Sequence, residues 1–200
     1  MARQTSREKW SHYIRAGGKF ASSQKLIGNA LSSSITFKGR ILGIDPSLRG
    51  TGIAVIHVID PQNIVLESSL LLHFNRSMSF HDCLGDISQA MEDIASRHPP
   101  DHVAVEETIY VQNIQTAHKL GAARGSALGP FARRKIPIYE YAPLRIKQAV
   151  AGRGRASKDQ VASMVGHLTG NTQKLSDDET DAAATAICHA FTWRGDIAGQ

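Results

Sequence analysis

From Ile41 onward, short apolar runs alternate with longer stretches of helical spacing. Ile41-Leu42-Gly43-Ile44 is apolar and carries β-branched residues, so it predicts a buried strand. Asp45 to Gly52, with Pro46, Ser47, Gly50 and Gly52, is turn chemistry. Ile53 to Ile59 is a second strand, and the two form a hairpin; Ile64 to Phe74 supplies a third. Leu84, Ile87, Met91, Ile94 and Ala95 recur at helical spacing and predict a helix from Phe80 to Arg97, ended by Pro99-Pro100. Val103-Ala104-Val105 is a strand leading into Glu106. Val111 to about Ala132 predicts a helix and Ile136 to Tyr141 a last strand. Pro143 suits the first position of a short helix through Lys147. Gly152-Arg153-Gly154-Arg155 is a flexible basic loop, and Ser157 to Gln160 matches a capping box opening another helix. The final helix is expected from around Asp178 to about Trp193. Three strands followed by helices alternating with two more strands predict an α/β domain on a mixed sheet.

Composition changes this picture at the N-terminus. The segment up to Arg40 holds Arg3, Arg7, Lys9, Arg15, Lys19, Lys25, Lys38 and Arg40 against the single acid Glu8, and it is rich in serine. Such a segment buries little. Residues 1–39 therefore read as a basic extension before a domain spanning 40–195. That extension is an arm tracking DNA phosphates, an organellar transit segment, or a stretch without function. The whole chain of 200 residues has a formal charge of +5, which suits a polyanionic partner without requiring one. Cys83 and Cys188 stand far apart in no paired motif, which argues against a disulfide framework or zinc site. No apolar run is long enough to span a bilayer, and no secretory h-region is expected.

The chemistry lies in acids at the ends of core elements. Asp45 closes a buried strand, where an uncompensated charge is costly; alternatively it bonds the turn amides. Glu106 and Glu107 alternate on a strand end, so one faces a site and the other a neighbouring helix, or both are simply solvated. Asp178 and Asp181 are three apart and share one helix face. Asp177 shares that face or is the N-cap, and the trio also suits an ordinary acidic first turn. Ala182-Ala183-Ala184 and Ala186 let this helix approach a sheet closely. Acids converging from three segments would raise one another's pKa values. A divalent cation with oxygen preference resolves that repulsion, and two such ions can cleave a phosphodiester.

These same residues resemble the RuvC family of Holliday-junction resolvases. Ile41 to Ser47 with Gly52 resemble its first motif. Ala104-Val105-Glu106, then Asn113 and Lys119 to Gly125, resemble the second. Tyr139 to Pro143 with Lys147, then Gly152 to Lys158, resemble the stretch before the last helix, and Asp178 to Ala182 the closing acidic motif. The resemblance covers about residues 40–193. It implies a ribonuclease H-like fold with a five-stranded mixed sheet flanked by helices. It implies a homodimer that resolves four-way DNA junctions by paired nicks, with Mg2+ as cofactor (two ions per site, Mn2+ as a substitute) and a branch-migration motor as partner. Asp45, Glu106, Asp178 and Asp181 would bind metal and catalyse, with Lys147 and Lys158 near the scissile phosphate. Where members carry a junction-stacking phenylalanine, this chain has Ile109 followed by Tyr110, so the wedge is aliphatic or passes to Tyr110. Where some members carry a histidine, it has Ala183; His189, two turns on, reads as a packing residue.

Further DNA contacts are expected from Asn113, Lys119, Arg124, Arg145, Arg153 and Arg155, the glycine-hinged loop positioning DNA through its phosphates. The outer face of the helix from Val111 is a candidate dimer surface. The expected location is a bacterial cytoplasm, with organellar targeting as the alternative. The rival readings are a nuclease of this fold acting on RNA–DNA hybrids or flaps, a non-catalytic junction-binding module, and an actin-like ATP-binding fragment.

Overall fold

The computed structural model describes residues 37–108 and 113–195. Five strands, β1 (Gly39–Asp45), β2 (Gly50–Asp60), β3 (Asn63–His73), β4 (His102–Glu106) and β5 (Ile138–Tyr141), form one sheet in the order β3-β2-β1-β4-β5. β1, β2 and β3 form an antiparallel meander, while β4 and β5 join parallel to β1. The mixed five-stranded α/β fold is as expected. Among the described residues five helices cover it: α1 (Phe80–Arg97), α2 (Ile114–Arg133), α3 (Pro143–Ala151), α4 (Lys158–Thr169) and α5 (Asp177–Thr192).

Strand alternation divides the core into two layers. Leu42, Ile44, Ile53, Val55, Val103 and Val105 face α1 and α2, meeting Ile87, Met91, Ala127 and Phe131. Ile41, Ala54, Ile56 and Ala104 face the other way, onto Ala182, Ala186 and Ile187 of α5, with α3 and α4 outside. Each fully buried Ile or Phe contributes about 2 kcal/mol by leaving water, so α5, buried from Ala182 to Phe191, is the central helix of its layer.

Several element ends differ from the sequence expectation. β2 begins at Gly50, so the expected turn is shorter: Gly52 is already paired with Asp45. The last strand starts at Ile138, two residues late, after Lys135 has taken a left-handed φ of 58° and Pro137 has withheld a ladder donor. α2 starts at Ile114, capped by Asn113, whose Oδ1 accepts from the amides of Gln115 and Thr116. The expected first turn from Val111 falls partly outside the described residues. α3 runs on to Ala151 and ends on Gly152 at φ 73°. α5 starts at Asp177, and Ser176, not Asp177, is its N-cap: the Ser176 hydroxyl accepts from the Glu179 amide while Glu179 Oε2 accepts from the Ser176 amide. This reciprocal pairing satisfies two end donors, which a bare aspartate cap would not.

Candidate active site

Asp45 and Glu106 are the last residues of the two central parallel strands. Ile44 pairs with Val105, so the two acids follow side by side, roughly 4.8 Å apart along the hydrogen-bonding direction. Alternation turns both toward α5, since Ile41 and Ala104 share that face. Glu107 lies past the strand end and is exposed, its amide donating to the Tyr141 carbonyl; it faces solvent rather than a neighbouring helix.

Two glycines bring α5 down to the strand ends. A Cβ on Gly43 would lie 2.0 Å from the Ala182 carbonyl oxygen, and one on Gly52 would lie 2.0 Å from that of Asp178. Gly52 is the cross-strand partner of Asp45. The helix turn bearing Asp178 therefore rests on the strand next to Asp45, and Asp181 follows on the same face one turn later. The alanines of this helix allow the same close approach, as their run suggested.

The electrostatics record the convergence. Burial, then Asp181, Glu106 and Asp178 in turn, push the Asp45 carboxyl up to about 7. Burial and Asp181 likewise raise Glu106, against the opposing pull of Lys147 and Lys158. Burial raises Asp181, with Lys158 pulling the other way. Lys158 Nζ stands 3.5 Å from Asp181 Oδ2 and 3.4 Å from Asp177 Oδ2. The structure thus brings together Asp45, Glu106, Asp178, Asp181, Lys147 and Lys158. The donors are carboxylate oxygens, with no His or Cys among them, and negative charge exceeds what two lysines neutralise. That set fits a hard divalent cation. Among the described residues no three acids are drawn into a closed ligand shell; Asp181 leans toward Lys158 instead.

The other expected contacts are placed differently. Arg153 and Arg155 are exposed on the loop between α3 and α4. A groove of about 650 Å³ beside α4 opens at Lys158, Asp177 and Asp181. Arg145 lies over the Tyr141 ring, 5.3 Å from its centroid. Asn113 spends its side-chain oxygen on the α2 cap. Lys119 lies with Phe80, Ile114 and His118, on the α1–α2 layer. Arg124 turns inward, Nη1 donating to the Glu106 carbonyl oxygen at 2.6 Å. Ile109 and Tyr110 lie outside the described residues. His189 is fully buried, with Nδ1 2.6 Å from the Tyr141 hydroxyl and Nε2 2.9 Å from His102 Nδ1, a hydrogen-bonded core histidine.

Sequence reasoning missed two supports. Glu179, between the helix acids, accepts from the Ser69 hydroxyl of β3 at 2.7 Å and so ties the start of α5 to the sheet; the S-x-x-E pattern from Ser176 could have revealed the cap, though not the strand contact. The Arg124 contact with β4 had no local signal, being 18 residues distant in the chain.

Comparison with known proteins agrees with this geometry. The family model described as crossover junction endodeoxyribonuclease RuvC matches residues 41–189. A protein of that name from Halorhodospira halophila is 42% identical over 151 residues, covering 76% of this chain and 89% of its own length. Another from Trichlorobacter lovleyi is 37% identical, covering 78% and 86%. Among solved structures, Thermus thermophilus RuvC in complex with a Holliday junction substrate superposes with a TM-score of 0.72 at 30% identity, over 76% of this chain and 93% of that one. The yeast mitochondrial Holliday junction resolvase, at TM-score 0.58 and 12% identity, shares the fold.

Proposed function

The chain belongs to the RuvC family of crossover junction endodeoxyribonucleases, and from that premise we propose that it resolves four-way DNA junctions by paired, symmetric, Mg2+-dependent nicks. One observation carries the reading: Asp45 and Glu106 end adjacent parallel strands on the face where α5, seated on Gly52, presents Asp178 and Asp181. Asp45, Glu106, Asp178 and Asp181 would hold Mg2+, two ions per site with Mn2+ as a substitute. When bound, the metal supplies Lewis-acid stabilisation of the phosphodiester and a more acidic water.

The protein's own groups do the rest. The four carboxylates repel one another until a cation is present, which keeps the edge poised for one. Lys147 and Lys158, beside the acids, offset phosphate charge as the DNA backbone arrives. The basic loop at Arg153 and Arg155 extends that positive track and fixes register without reading bases. A two-fold homodimer suits a two-fold junction, and the exposed α2 face with Ile114 is its candidate surface. The nuclease domain begins earlier than the expected residue 40, since β1 starts at Gly39 and Phe37 is buried in the core; it runs to residue 195, and the basic extension precedes it. A branch-migration motor is the expected partner and a bacterial cytoplasm the expected setting.

A synthetic four-way junction with immobile arms, incubated with Mg2+ and mapped on all four strands, tests this. Two nicks placed symmetrically on opposed strands are expected. Cleavage of RNA–DNA hybrids or flaps in preference to junctions would transfer the site to another nuclease of the same fold.

A further inference from the structure

The sequence reading groups Arg124 with the residues that touch DNA, but its surroundings describe a different task. The guanidinium is largely covered, with 13% of the side chain exposed, and a phosphate contact needs an accessible cation. Its Nη1 donates to the Glu106 carbonyl oxygen at 2.6 Å. Its Nη2 stands 2.8 Å from Glu140 Oε2 as an ion pair, off the line of the N–H bonds. Glu140 is on β5, whose register places it beside Val105 of β4. The fork therefore spans the ends of two neighbouring strands.

The peptide it grips is the one that orients Glu106. The Glu106 carbonyl is held by Arg124, and the Glu107 amide, on the other side of the same planar unit, donates to the Tyr141 carbonyl at 2.9 Å. With both polar groups of that plane bonded, the direction in which the Glu106 side chain leaves the backbone is settled before any substrate arrives. We infer that Arg124, balanced by Glu140, is a positioning residue for Glu106 and not a phosphate contact. This rests on the reading of Glu106 as a metal-binding carboxylate. Arginine suits the task because a single planar fork reaches the carbonyl and the carboxylate together, while lysine offers one ammonium.

The test uses the full chain as Arg124→Ala, Arg124→Lys and Glu140→Gln, with three readouts: the Mg2+ concentration at the midpoint of the thermal shift without DNA, the single-turnover nicking rate on a four-way junction, and the salt slope of junction binding. Losing an outer support of a metal ligand costs about 10–100-fold in metal affinity or activity. Arg124→Ala is therefore expected to raise the Mg2+ midpoint and slow nicking within that range while leaving the salt slope as in the parent. Arg124→Lys should fall between the two, and Glu140→Gln should show the same pattern more weakly. Should the alanine variant fail to fold, those two conservative variants carry the comparison. A salt slope shallower by about one, with the Mg2+ midpoint unmoved, would overturn the inference and restore Arg124 to the DNA contacts. A parent chain that nicks no junction would sink the junction reading, and the Mg2+ midpoints would still decide the part played by Arg124.

Discussion

The two ends of β1 hold acids in opposite circumstances. Near its start, Glu67 of β3 is surrounded by cationic or proton-binding groups: Arg40 Nε at 2.8 Å, His57 Nδ1 at 3.0 Å and His98 Nδ1 at 3.6 Å. The Arg40 hydrogen bond holds the Glu67 carboxyl below its ordinary range. At its end, Asp45 faces three other acids with Lys158 as the opposing cation, and its carboxyl rises to about 7. The first cluster is complete within the chain and ties β1, β2, β3 and the end of α1 together. The second carries charge that the chain does not itself balance. Buried charge is tolerated when something compensates it; at this end the compensation is a bound proton or, under the proposed function, a divalent cation, whereas the first cluster is a structural ion pair complete within the chain.

The sharpest break in this comparison is to remove an acid from the uncompensated end. Asp45→Asn and Glu106→Gln keep size and remove charge, so each should lower junction nicking roughly 1000-fold or more while junction binding persists; Mg2+-dependent cleavage surviving in both would reject the assignment. The next largest effect should come from Gly52→Ala. Its Cβ would collide with the Asp178 carbonyl, so α5 must shift, at about 1–3 kcal/mol of stability, and nicking should fall by more than that loss explains. Chemical denaturation beside a rate measurement separates the two effects.

Asp45 also makes a stability prediction. Its folded pKa of about 7 lies well above the ordinary aspartate value, so the folded chain binds the proton more tightly. Without metal, this group's contribution therefore favours folding in acid and is lost as pH rises toward about 7. In EDTA the melting temperature should drop over that window, and Asp45→Asn should flatten the drop and melt about 5 °C higher at pH 8. A variant that melts lower there would show that Asp45 is internally satisfied after all. Arg153→Ala with Arg155→Ala should make the salt slope of junction binding shallower by about two, with the Mg2+ midpoint unmoved. Smallest of all, Glu67→Gln should leave nicking unchanged. Its stability contribution is present above the ordinary carboxylate pKa and fades as pH falls through the lowered folded value, so a melting temperature slightly below the parent's at neutrality, with the gap closing as pH falls, is expected. A nicking defect in Glu67→Gln would mean the two ends are coupled.

Much of this was legible along the chain because it is local. Alternation in β1, β2 and β4, the helical spacing of α1, Pro143 at the first position of α3 and the capping box at Ser157 each express short-range sterics and hydrogen bonding. The four acids stood out because charge at the end of an apolar element is costly unless used; Lys147 and Lys158 were singled out by the family resemblance. Arg124 is the instructive case. As a residue type in a basic motif it resembles a phosphate ligand, and only the packing of α2 against β4 and β5 turns its guanidinium onto the Glu106 carbonyl.

The sequence by itself determined the element types, the mixed α/β class and which carboxylates were candidates, since those follow from periodicity and from the cost of burying charge. The tertiary structure alone decided that Asp45 and Glu106 end in register, that Gly43 and Gly52 admit α5 against them, and that Arg124 and Glu179 brace the site. Those contacts join residues from 18 positions apart, Arg124 with Glu106, to well over a hundred, Gly43 with Ala182. Such pairings exist only once the sheet has closed, because loop closure and core packing, not neighbouring residues, select which distant groups meet.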